Sequence, residues 1–146
     1  MVPAKIAAHD RKIKYLVVHC TATPQTTTIE SIQNHWSKVL GWKNPGYHYI
    51  VKPNGEIVNL QPENLASNGV ADYNTPSIHI SYIGGVDAAG KAVDNRTVAQ
   101  RNSLAIALHI LKQRYPDAII QGHRDFPKVA KDCPCFPAKL EYASIK

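Results

Sequence analysis

His123 and Cys133 lie ten residues apart in the run from Gly122 to Pro134, and Lys131 stands two residues before the cysteine. Both are soft zinc ligands, and a third candidate, His19, sits in Val17-Val18-His19-Cys20-Thr21. Zinc accepts imidazole nitrogen and thiolate sulfur, and a catalytic zinc keeps three protein ligands and an open position for water. One Zn2+ ion held by His19, His123 and Cys133 with a water in the fourth place predicts hydrolysis. The metal brings the pKa of such a water from 15.7 to about 7.

Taken singly, each of the three has an ordinary structural reading, since a histidine at a strand end can be a satisfied core residue and free cysteines are commonly buried. Cys20 competes with its neighbour His19, but adjacent strand residues face opposite ways, so only one of them reaches a shared metal. Histidine is the better partner for His123, which leaves Cys20 to the core. Cys135 competes with Cys133 in the same way, and spacing leaves that choice open. His48 is the strongest substitute ligand, with burial in the sheet as its plainer fate. His79 alternates with Ile78 and Ile80, so it faces away from them, toward the site or, more commonly, toward solvent. His35 and His109 fall on helices as surface or boundary residues, and His9 precedes the first strand.

The 146 residues fit one domain, 1–146, and the hydrophobic share of 44% is enough for a real core. A formal charge of +6 favours anionic partners: nucleic acid, lipid headgroups or the polyanionic bacterial wall. The densest basic patch, Lys5 to Lys14, reads as a solvated stretch, with residues 1–12 a flexible leader. Three cysteines, an odd number, argue against a disulfide framework and for a reduced compartment or a metal. A structural zinc would more often bring four ligands in paired CxxC motifs, which are absent. No apolar signal core stands at the N-terminus and no stretch reaches transmembrane length. Synthesis in the cytoplasm follows, and a target beyond the membrane would require release by another protein.

Positioning those side chains requires a sheet. Tyr15 to Val18 is an apolar run that reads as a strand ending where His19 begins. Thr27 and Glu30 form a capping-box signal, and Ile29, Ile32, Trp36 and Leu40 then recur at helical spacing until Gly41. Tyr47–Val51 and Glu56–Leu60 flank the turn Pro53-Asn54-Gly55 as a hairpin. Ile78–Ile83 is a further strand. Thr97 and Gln100 cap a second helix with Leu104, Leu108, Leu111 and Tyr115 on one face, stopped by Pro116. Ala118–Gln121 is the last strand and delivers His123. The order predicts a single-domain α/β fold, a mixed central sheet packed against helices with the zinc site at strand ends. If the two histidine-bearing strands are parallel neighbours, their imidazoles meet.

The ordered set Val18-His19-Cys20-Thr21-Ala22-Thr23, Gly46-Tyr47-His48-Tyr49-Ile50, Pro53-Asn54-Gly55, Tyr73-Asn74, Ser77-Ile78, Gly84-Gly85, Gly122-His123-Arg124-Asp125 and Lys131-Asp132-Cys133-Pro134 resembles the zinc-dependent N-acetylmuramoyl-L-alanine amidases. That family includes the T7-type phage lysozymes and the peptidoglycan recognition proteins. The resemblance implies His19, His123 and Cys133 as zinc ligands, and it matches Tyr47 and Lys131 to catalytic positions beside the metal. It further implies peptidoglycan as the partner, a holin-type release to the wall, and cleavage between N-acetylmuramic acid and the L-alanine of the stem peptide. In that chemistry Lys131 steadies the oxyanion and Tyr47 orients the water, although a phenol of pKa about 10 is a poor base unless zinc or lysine lowers it. On residue pattern alone Tyr47 is a strand aromatic sharing a face with Tyr49, and Lys131 a solvated charge. Trp36, Trp42, Asn44 and Arg124 fall near groove loops, with core packing the expectation for Trp36. The alternative is a peptidoglycan-binding module without catalysis, usually marked by loss of a zinc ligand. No nucleic-acid partner is expected, and a monomer is the simple assembly.

Overall fold

Strand β1, Tyr15–Cys20, occupies an inner position of the sheet, as its unbroken apolar run requires. In the computed structural model, which describes all 146 residues, β1 pairs in parallel with β4 (Ser77–Tyr82) and with β5 (Ile119–Gly122). β2 (Tyr49–Val51) is parallel to β4 and antiparallel to β3 (Ile57–Asn59), so the sheet is mixed, in the order β3-β2-β4-β1-β5. β1 runs two residues further than its apolar pattern suggested. His19 and Cys20 therefore belong to the strand, paired with Ser81 and Tyr82.

The pleat sends alternate β1 side chains to two different layers. Leu16, Val18 and Cys20 join the main core with Ile78, Ile80 and Tyr82. Helix α2, Val98–Arg114, supplies Leu104, Leu108 and Leu111 to that core, all fully buried. Each such leucine contributes roughly 1.5–3 kcal/mol by leaving water. The expected cap is present at its start: Thr97 accepts from the Gln100 amide while the Gln100 side chain accepts from the Thr97 amide.

The opposite face carries Val17 and His19. Over its β2 side lies helix α1, Ile29–Asn34, which continues in a single π-helical turn, His35–Val39. Ile32 and Trp36 pack there on Ile50 and Ile83. Thr28, not Thr27, is the N-cap, and it accepts from the Ser31 amide without help from Glu30. Leu40 is exposed, and Gly41 ends the segment at a positive φ of 68°.

Residues 1–12 form neither helix nor strand, yet they lie along the domain. Val2 is buried, the Met1 ammonium donates to the Ile57 carbonyl at 2.6 Å, and His9 meets the Tyr115 hydroxyl at 2.9 Å. Arg11 donates to the carbonyls of Glu63 and Ser77 at 2.6 and 2.7 Å. Lys5, Lys12 and Asp10 are exposed and match the solvated picture. A short helix, α3 (Ala138–Glu141), follows the cysteine-bearing segment and packs on β5.

Candidate metal centre

Register explains why the histidines meet. Val18 is level with Gly122 across the parallel β1/β5 pair, so the next residues, His19 and His123, emerge side by side with ring centroids 4.9 Å apart. His123 opens a 3-10 turn, His123–Asp125, whose Asp125 carboxylate accepts from the Gly122 amide at 2.8 Å. A side chain at position 122 has no room, because its Cβ would sit 2.6 Å from Cδ of Pro134. That close approach brings Cys133 against the strand ends. The segment is fixed there by the Arg124 amide, which donates to the Cys133 carbonyl at 2.9 Å, and by the Tyr82 hydroxyl, which donates to the Pro134 carbonyl at 2.7 Å.

The donor atoms of His19, His123 and Cys133 all lie within 4.8 Å of one another. Nδ1 of His19 is 3.7 Å from Cys133 Sγ. Tetrahedral zinc with Zn–S of about 2.3 Å and Zn–N of about 2.0 Å separates such atoms by about 3.5 Å, so the set fits a small tetrahedral cation. Burial lowers the pKa of both imidazoles, with Lys131 adding to the effect, and that of His123 falls to about 4. Neutral rings keep the lone pairs that a metal needs.

The structure separates the cysteines that spacing left unresolved. Cys133 Sγ joins the histidines, whereas Cys20 points into the main core and Cys135 lies beside Cys20, with their sulfurs 3.8 Å apart. Hydrogen bonding with Cys133 and burial hold the Cys20 thiol above its usual range, and burial pushes Cys135 to about 12. His48 is fully buried and bonded to the Leu65 carbonyl and Ser67, outside the donor group. His79 does not face solvent. It is fully buried against His19, with Nδ1 2.9 Å from His19 Nε2.

Tyr47 and Lys131 line the same cleft as the three donors, a space of about 170 Å³ whose walls include Trp36, Trp42 and Gly69. Tyr47 precedes β2, so strand alternation does not pair it with Tyr49. Its ring stands 5.0 Å from that of His19 and edge-on to Trp36, while Tyr49 enters the main core. The Tyr47 hydroxyl donates to the Cys20 carbonyl at 3.2 Å, and burial raises its pKa above the ordinary value. Without a metal the phenol is therefore held neutral, in keeping with the expectation that it is a poor base unless zinc or lysine lowers its pKa. Trp36 is buried as expected and still forms part of the wall, with Trp42 beside it. Asn44 is engaged in loop bonding to Gln61 and Asn68, and Arg124 is exposed. A wider groove of about 390 Å³, lined by Thr21, Ser31, His35 and Tyr47 among others, adjoins the cleft.

Fold and centre together fit a hydrolase whose three-donor group could hold a metal, with His19 and His123 at the ends of parallel strands. A profile of N-acetylmuramoyl-L-alanine amidase matches residues 9–136, and the chain belongs to that family. It is 33% identical over 125 residues to an endolysin of Klebsiella phage KP32, covering 85% of this chain and 82% of the relative. An endolysin of Escherichia phage T7 is 34% identical over 126 residues, with the same shares covered. Among solved structures, the Ph2119 endolysin from a Thermus scotoductus bacteriophage superposes with a TM-score of 0.73 at 26% identity, over 92% of this chain and 84% of that one. No helix is long and apolar enough to cross a membrane.

Proposed function

We propose that residues 1–146 form one amidase domain that lyses peptidoglycan, hydrolysing the amide between N-acetylmuramic acid and L-alanine with a zinc ion held by His19, His123 and Cys133. The observation that carries the reading is the convergence of those three donors, within 4.8 Å of one another, on the floor of a cleft in an amidase-family chain. Zinc bound there supplies Lewis acidity toward the scissile carbonyl and toward water.

The chain's own residues supply the rest. The Lys131 ammonium, at the cleft, offsets negative charge that grows on the carbonyl oxygen. Tyr47 commits its proton to the Cys20 carbonyl and so turns lone pairs toward the cleft, where they orient the attacking water. Trp36 and Trp42 give the substrate an apolar wall. The +6 charge suits approach to a polyanionic wall. The protein acts there as a monomer of endolysin type, after synthesis in the cytoplasm and holin-type release.

Incubation with purified peptidoglycan tests the reading. Stem peptide should be released from intact glycan chains, the release should stop on chelation, and zinc should restore it. Tight binding without release would make the chain a recognition module instead.

A further inference from the structure

His79 has no part in the chemistry above, yet its ring is fully buried beside the metal group and every polar atom of it is engaged. The bonding around it assigns its protons. The Val70 amide donates to Oδ1 of Asn74 at 2.8 Å, which identifies that atom as the amide oxygen. The same oxygen lies 2.9 Å from His79 Nε2, so Nε2 carries a proton and donates it. None of the ring's partners is a carboxylate, and a neutral ring then has its lone pair on Nδ1. His79 Nδ1 faces His19 Nε2 at 2.9 Å, so His19 donates from Nε2. The remaining nitrogen of His19, Nδ1, is left bare, and it is the one 3.7 Å from Cys133 Sγ.

Space for this arrangement is provided by a glycine. A Cβ at position 69 would lie 2.3 Å from His79 Nδ1 and 2.5 Å from its Cγ and Cε1. Gly69 shows no positive φ, so its role here is to leave the ring room.

We propose that His79 is a positioning residue for the metal: by accepting the Nε2 proton of His19, it holds that ligand in the orientation and tautomer that present Nδ1 to zinc. The inference rests on reading His19 as a ligand. Without the acceptor, His19 would keep a buried N–H unpaired or move its proton to Nδ1, where it blocks coordination. The relay runs from a backbone amide through Asn74 and His79 to the metal face.

The test combines zinc competition against a chromophoric chelator with nitrogen NMR of the imidazoles in the metal-free protein. Wild type should show His19 protonated at Nε2. His79→Ala should lose that single tautomer and bind zinc about 10–100-fold more weakly, the usual cost of removing a partner behind a metal-bound histidine. His79→Asn, whose Oδ1 can accept from His19, should recover most of the affinity. Gly69→Ala should weaken binding in the wild type and add nothing in the His79→Ala background. Metal-free melting curves identify any variant that fails to fold, and Gly69→Ala and His79→Asn then carry the test. If wild type binds zinc tightly and folded variants match it in affinity and tautomer, the proposal is overturned. A wild type that binds no zinc overturns the metal reading, and this proposal with it.

Discussion

The backbone amide of Cys20 donates to Sγ of Cys133 at 3.2 Å, so the residue next to one candidate metal donor steadies another more than a hundred positions away. The amide holds that sulfur at the strand end, beside the two imidazoles. The three cysteines should therefore separate cleanly on substitution. Cys133→Ser should weaken zinc binding by more than about 100-fold, beyond the loss expected for an outer partner, and abolish peptide release. Cys135→Ser should keep both. Chelator competition on the two proteins decides it, and equal losses would mean that Cys135 shares the site.

Lys131 reaches the cleft from an exposed position close to Cys133 in sequence, and its charge is felt by both His19 and His123. Lys131→Ala should lower kcat about 10²–10³-fold, as loss of an oxyanion donor does, with zinc affinity preserved. Tyr47→Phe removes the hydroxyl held by the Cys20 carbonyl and should cost less. Steady-state kinetics on soluble muropeptide, beside zinc titration, separate these roles. Full rate in Lys131→Ala would take that residue out of the mechanism.

Much of this centre could be read from sequence because local signals and topology agreed. The Thr97/Gln100 cap, the Leu104–Leu108–Leu111 face and the hairpin around Asn54-Gly55 are all present. The apolar runs before His19 and His123 become parallel neighbours, which is what joins the two imidazoles. His79 was misjudged because alternation says only that it leaves the Ile78 face. In a sheet covered on both sides the second face is interior too. The choice between Cys133 and Cys135 depends on how Pro134 meets Gly122, a long-range contact with no periodic trace. Val2 is held in the core, and Met1 and Arg11 by backbone carbonyls far along the chain, contacts that composition does not reveal.

His48 predicts a pH response of stability. The ring is fully buried, and Nδ1 accepts from the His79 amide at 3.0 Å while Nε2 donates to the Leu65 carbonyl at 2.7 Å. Burial lowers its pKa to about 4, with the Leu65 bond opposing and Arg11 assisting. The unfolded chain, at the ordinary 6.5, thus binds the proton more readily than the folded one. This contribution is full above pH about 6.5 and is lost as pH falls toward about 4; at pH 5 the loss is on the order of 2 kcal/mol. Urea melts of the metal-free protein at pH 7 and pH 5 should show a smaller difference for His48→Asn than for wild type. An unchanged difference would assign the acid response elsewhere.

Arg96 anchors the chain that follows Cys133. Its side chain is fully buried, with Nε 2.9 Å from Asp94 Oδ1 and Nη1 2.8 Å from Glu141 Oε2, and its Cζ lies 3.3 Å from the Phe136 ring centroid. Arg96→Met keeps most of the bulk and deletes the charge. Asp94 and Glu141 remain partly exposed, so water can take over part of the lost bonding. The cost should therefore sit near the lower end for a broken buried pair, about 3 kcal/mol, or a fall in Tm of roughly 6–12 °C for a domain of this size. Because Phe136 is three residues from Cys133, the same variant should also bind zinc more weakly than wild type under conditions where both are folded. Thermal melts with and without chelator distinguish the two effects. A large fall in Tm with unaltered zinc affinity would show that the clamp serves the core alone and leaves the cysteine donor independently held.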